Sequence, residues 1–309
     1  MKTTLLAVAA LSATTSLAMA QDKVEITFSG TLSVADTTFA GRNEQYFDGN
    51  SDVGFRNRAD NGVKFGADLG VETFQPINNP TGTSVTAHYA TAVLENQFGK
   101  VSIGMPRSIK ENYFTVPKIG GTELLDLNSP FLSTDSFRTF KNLLNQSGEE
   151  IYGARYDGKI GQIALAASIN RFSDDSGNLD EIVAHYDGND WSMSLGATFL
   201  NLGGFSITNT TLEVQGRKGK LSGGIVLETS DQHLLGPDTA RAFVSYDFND
   251  EIKLNTQVLH YQTSGRDVVN TYGVDLSYTH KSGAFLTAGV VDYASSNDKR
   301  FNVILGYTF

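Results

Sequence analysis

The chain has 309 residues, a formal net charge of −10 and no cysteine. The missing thiols exclude disulfides and thiolate metal sites, and the acidic balance is the wrong sign for a nucleic-acid partner, which calls for a basic patch. Many glycines, few prolines and a surplus of Tyr and Phe over a single Trp fit a β-rich chain.

Residues 1–20 read as a secretory signal peptide: Lys2 precedes the apolar run Leu5 to Leu11, and Ala18, Met19 and Ala20 form a small-residue cleavage pattern. Cleavage is expected after Ala20, leaving 21–309 as one domain. The apolar run is much shorter than the ~20 residues a spanning helix needs. No later stretch is long enough either, but a transmembrane barrel leaves a far weaker hydropathy signal than a helix does.

From Val24 onward the pattern has period two. Val24, Ile26 and Phe28 fall on one face, and Glu25, Thr27 and Ser29 on the other. After the tight-turn pair Asn61-Gly62, Val63, Phe65, Ala67, Leu69 and Val71 alternate with Lys64, Gly66, Asp68, Gly70 and Glu72. Similar apolar faces follow at Val85 to Val93, Val101 to Met105, Tyr152 to Tyr156, Ile163 to Ile169 and Ile182 to Tyr186. They continue at Trp191 to Phe199, Ala240 to Phe248, Tyr272 to Tyr278 and Phe301 to Phe309. Residues 252–263 and 284–294 carry apolar residues on both faces, which leaves their facing open.

An aromatic recurs just before a short polar turn: Phe98, Tyr156, Tyr186, Tyr246 and Tyr278, with Phe309 on the same beat. The repeat of about thirty residues is one long hairpin, and an aromatic at a fixed height on every second strand is a girdle at a membrane interface. Short turns are expected near 59–62, 98–100, 156–159, 187–190, 216–220, 248–251 and 280–283. Longer loops are expected near 36–51, 75–83, 108–148, 172–178, 201–206, 230–238, 264–269 and 295–299. Seven turns and eight loops give sixteen strands. An even number of antiparallel strands with an apolar outside closes into a barrel wide enough for a water-filled lumen.

The segment 108–148 breaks the rhythm. It is too long for an ordinary loop, and Tyr113, Phe114, Phe131, Phe137 and Phe140 make it too apolar for a free linker. It is expected to fold against the inside of the barrel.

The opening strand VEITFSGTLSV, the hairpin rhythm, the outsized loop after the fifth strand and the closing strand FNVILGYTF together resemble Gram-negative general-diffusion porins, most of all the alpha-proteobacterial type. The resemblance implies an all-β, 16-stranded antiparallel transmembrane barrel in the cell outer membrane, a homotrimer, and a third loop folded into the lumen. It implies passive diffusion of ions and small hydrophilic solutes, with outer-membrane lipid as surroundings and no cofactor. Val303, Leu305, Tyr307 and Phe309 fill the places of the family's C-terminal assembly signal. The family's Pro-Glu-Phe-Gly-Gly loop segment has as nearest matches Ile119-Gly120-Gly121 and Asn128-Ser129-Pro130-Phe131, without the glutamate.

A diffusion pore selects by bore and by the charges at its narrowest section. The resemblance implies wall cations facing loop acids. By strand parity the wall candidates are Arg56, Arg58, Lys64 and Arg155; on the loop the acids are Glu111, Glu123, Asp126 and Asp135. A substrate-specific channel is the alternative within the same fold. A barrel enzyme has less support, since His88, His185, His233, His260 and His280 are scattered over different hairpins and no Gly-x-Ser-x-Gly segment occurs. Asp174-Asp175-Ser176-Gly177-Asn178 slightly resembles a calcium loop but lacks the spacing and the closing bidentate Glu of an EF-hand, which leaves metal binding open.

Overall fold

The structure, a computed structural model, describes residues 24–39, 42–78, 85–115, 117–121, 150–173, 176–231, 238–262, 269–294 and 299–309. Sixteen antiparallel strands form a closed barrel in which each pairs with its chain neighbours and β1 pairs with β16. The first eight strands are β1 (Val24–Phe39), β2 (Arg42–Arg58), β3 (Lys64–Pro76), β4 (Val85–Asn96), β5 (Gly99–Met105), β6 (Ile151–Ile160), β7 (Ile163–Phe172) and β8 (Gly177–Asp187). The second eight are β9 (Trp191–Leu202), β10 (Phe205–Lys218), β11 (Leu221–Ser230), β12 (Asp238–Asp247), β13 (Ile252–Gln262), β14 (Val269–Thr279), β15 (Ala284–Tyr293) and β16 (Lys299–Thr308). Closure leaves no sheet edge, the condition for strands in a bilayer, where no water is available to satisfy backbone groups.

Period-two alternation decides which side chains meet lipid. Leu195, Ile225, Leu227, Val274 and Leu305 all point outward and are exposed; so much uncovered apolar surface would be anomalous in water and is ordinary against acyl chains. Inward positions carry Ser, Thr, Asn, Gln and charged residues, together with apolar clusters such as Ile151, Phe172, Leu179 and Leu200. The aromatic beat is real surface: Phe98, Tyr156, Tyr246 and Tyr278 are exposed near the short-turn end, and the Tyr156 hydroxyl donates to the Phe98 carbonyl at 2.7 Å.

The seam is made by the chain end. Phe309 exchanges both backbone hydrogen bonds with Gly30, each at 3.0 Å, and its ring stacks on Phe28 with centroids 4.9 Å apart.

Four expectations are corrected. The connection expected at 36–51 is strand almost throughout, because Val34 pairs with Phe47 and Ala35 with Tyr46; the Tyr46 ring packs on Phe74 at 4.9 Å. The mixed polar sequence concealed this. The turn expected at 156–159 lies at 161–162, where Gly161 takes φ 60°. The loop expected at 201–206 shrinks to Gly203-Gly204, both at positive φ, a backbone only glycine adopts freely. The apolar face of β4 points inward: Ala87, Tyr89 and Val93 are buried, while His88, Ala90, Ala92 and Leu94 face out. Inside the barrel that face meets protein, as follows.

Candidate functional site

After Met105 the chain turns into the barrel instead of continuing as strand, and the polar inner wall holds it at every step. Pro106 and Pro117 interrupt any strand ladder, so the irregular backbone between them needs other partners. The wall supplies them, mostly as carboxylates and amides.

Arg107 fixes the root. Its guanidinium lies 2.7 Å from Asp52 of β2, contacts Glu72 of β3 and reaches Glu111 at 3.3 Å. It also sits 4.1 Å above the centre of the Tyr89 ring, a cation–π contact, and the Tyr89 hydroxyl donates to Glu72 at 3.1 Å. This explains why the apolar face of β4 is turned inward.

Glu181 of β8, 3% exposed, next accepts bonds from the Ser108 hydroxyl at 2.7 Å and the Ile109 amide at 3.1 Å. A helical turn, α1 (Lys110–Tyr113), follows. The Lys110 ammonium is buried against β10, donating to Thr211 at 2.9 Å and Asn209 at 3.2 Å. Burial lowers the Lys110 pKa, outweighing the opposing pull of Glu228 and Glu181. On the other side of the turn Ile109 and Phe114 pack with Ala166 and Val183.

Further on, the Thr115 amide donates to Glu213 at 3.2 Å. Arg241 of β12 donates to the Pro117 carbonyl at 3.3 Å, Gln257 of β13 to the Lys118 carbonyl at 2.7 Å, and Asn302 of β16 to the Gly120 carbonyl at 3.1 Å. The described segment thus follows the inner wall from β5 to β16. Open space remains beside it, lined among others by Thr31, Ser33, Asn50, Lys118, Asn255 and Asp275.

The wall candidates fall into two groups. Arg155 points inward, as its parity requires, but is buried under the segment: it pairs with Asp157 at 2.6 Å and donates to the carbonyls of Ser108 and Arg107. Arg56 pairs with Asp68 at 2.7 Å and Lys64 with Glu25 at 3.3 Å. With Arg58 they line a recess at the short-turn mouth. Arg56 lies four residues along β2 from Asp52, roughly 13 Å toward the turn, so these cations are not level with the Arg107 cluster.

Of the loop acids, Glu111 faces Arg107; Glu123, Asp126 and Asp135 lie outside the described residues, as do Asp174, Asp175 and His233. Sequence reading missed Arg107, Lys110 and the wall acids Asp52, Glu72, Glu181 and Glu213. The available signal was acidic residues at inward parity on otherwise alternating strands. Among the described residues no group of three or more His, Cys, Asp or Glu side chains could hold a metal ion. The Ser194 hydroxyl lies 2.8 Å from the His185 ring but donates to the Tyr113 carbonyl at 2.5 Å; buried and committed to the segment, it is an anchor.

A closed barrel with an apolar outside, a polar inside and a long segment held in its lumen is the geometry of a channel. The family model for Gram-negative porins matches residues 7–309. This chain belongs to the Gram-negative porin family. The porin is similar in fold to solved structures of engineered Rhodopseudomonas blastica porin variants. Two of them each have a TM-score of 0.71 at 16% identity, over 92% of this chain and 100% of theirs. A structure titled "Asymmetric conductivity of engineered proteins" matches with a TM-score of 0.68 at 17% identity over the same shares. None of the curated proteins matches in sequence. Membership places this porin in the outer membrane as a diffusion channel, not an enzyme.

Proposed function

We propose that the wall-bound segment is the first part of a constriction completed by residues up to 148, and that it narrows a water-filled path for ions and small hydrophilic solutes. The observation that carries this reading is the series of hydrogen bonds from Ser108–Glu181 to Gly120–Asn302, which keeps the described part of the loop inside the lumen. Arg56, Arg58 and Lys64 act as the wall cations of the pathway at its short-turn mouth, and Arg155 holds the root of the loop. The mature chain begins after Ala20.

The assembly is a homotrimer, its subunits meeting around β2 to β5. The outward face there sets Ser51, Ala67, His88, Ala90 and Ala92 among the exposed apolar residues Phe55, Leu69 and Leu94. Small residues allow close approach of another protein wall, whereas lipid favours the larger chains.

The test is single-channel conductance of the refolded protein in a planar bilayer under a salt gradient. Large ohmic steps with weak ion preference are expected. A folded, heat-modifiable barrel that conducts nothing would refute the channel reading, and small saturable currents confined to one solute class would replace general diffusion with a specific pathway.

A further inference from the structure

Two glycines interrupt the inner face of the wall where the loop segment ends. Gly273 lies on β14 and Gly289 on β15; Gly273 pairs with Gln257 and Val291, and Gly289 with Asp275 and Asn302. The two therefore sit diagonally on one face. A side chain at Gly273 would meet the Ile119 Cγ2 at 2.6 Å and the Gly120 amide nitrogen at 2.7 Å, and one at Gly289 would run into the Gly120 carbonyl.

The segment is shaped to match. Gly120 and Gly121 take φ of 58° and 71°, a left-handed backbone that bends the chain into the wall. A side chain at Gly120 would strike Val291 Cγ2 at 2.5 Å. Ile119 fills the adjoining apolar site with Leu259 and Val291. The carbonyls on either side of Ile119 are held by amides from opposite flanks, Lys118 by Gln257 and Gly120 by Asn302. Strand-interior glycine gives up packing and entropy, and a close approach of another backbone is one reason to keep it.

We propose that Gly273 and Gly289 form a seat that sizes the pore: by admitting the Ile119–Gly121 turn to full depth, they set how far the loop stands off the wall and so how much of the lumen stays open. The proposal rests on the loop being the constriction. Filling the seat lifts the Ile119–Gly121 turn off the wall and narrows the path.

A cysteine pair reads seating independently of conduction. The Cβ position at Gly121 is 3.8 Å from Thr287 Cβ, within the ~3.5–4.5 Å of a disulfide, and the chain has no other cysteine. The double substitution Gly121→Cys with Thr287→Cys is expected to cross-link on mild oxidation of the folded barrel, and the strain of a side chain at φ 71° is common to every arm of the comparison. Adding Gly289→Ala or Gly273→Ala should slow cross-linking several-fold, and each alanine alone should lower unit conductance and raise current noise, a higher conductance overturning the proposal. Should the alanine barrels fail to fold, Gln257→Ala with Asn302→Ala, which removes the two clamping donors without adding an atom, must show the same slowing and the same change in noise. Unchanged cross-linking rates in these folded variants overturn the seat. Slowed cross-linking with wild-type conductance leaves the seat standing but overturns its control of bore, while the reading of the loop as constriction stands or falls on the conductance of the unmodified barrel.

Discussion

The Arg107 guanidinium lies 2.7 Å from Asp52, on a strand fifty-five residues earlier in the chain. A residue just past the end of β5 is thereby tied across the barrel interior to β2, with Glu72 and the Tyr89 ring completing its surroundings. Burial opposes the guanidinium charge, but Glu72, Glu111, Tyr89 and Asp52 together outweigh it and raise its pKa.

Arg107→Gln should therefore loosen the root of the loop without opening the barrel. Removing the cation leaves the buried Glu72 carboxylate without its Arg107 ion pair, though still bonded by the Tyr89 hydroxyl, which costs on the order of 2–3 kcal/mol. A lower midpoint for heat modification and noisier single-channel current are expected. An unchanged midpoint and quiet current would show that the cluster does not hold the loop.

Lys110 gives a pH signature. In the fold its pKa is lowered from 10.5 by burial. Between that lowered value and 10.5 the unfolded chain binds the extra proton and the folded chain does not, so stability rises with pH in this window. The wild-type barrel should gain stability as pH is raised toward 10.5, and Lys110→Met should lack that gain. Tyr113, whose pKa is raised by burial and by Asp157, acts in the opposite sense near pH 10; subtracting the Lys110→Met curve at each pH removes it. Superimposable curves would exclude a titrating Lys110.

Charge at the short-turn mouth should govern ion preference. Reversing Arg56 and Arg58 together to Glu adds negative charge beside Asp68 and Glu25 and should shift the reversal potential in a salt gradient toward cations. An unchanged potential would remove these two residues from the selectivity pathway.

The seam depends on fit as well as on the terminal aromatic. A side chain at Gly30 would lie 2.5 Å from the Asn50 carbonyl and 2.7 Å from the Phe309 ring. Gly30→Val should depress the yield of heat-modifiable barrel about as strongly as Phe309→Ala, with both chains still secreted. Normal assembly of Gly30→Val would show that the Phe28–Phe309 stack is dispensable for closure.

The strand count, the outward faces and the girdle were legible because each follows from local sequence. Alternation such as Trp191 to Phe199 or Phe301 to Phe309 is imposed by the pleat and by lipid on one side, and a long loop interrupts it visibly. The facing of β4 was not legible, because Tyr89 and Val93 look lipid-facing until Arg107 is placed over the Tyr89 ring. Nor were the roles of Arg155, Glu181 and Glu213 legible: parity turns them inward, but only the path of the loop shows whether they meet water or a backbone group needing a partner. The strand-interior glycines Gly273 and Gly289 carried a readable mark of close approach, but no sign of what approaches. The sequence by itself determined a membrane barrel of sixteen strands, since that needs only period and turn spacing. The tertiary structure decided which charges hold the loop, since those pairs join residues distant in the chain through contacts that no local pattern encodes.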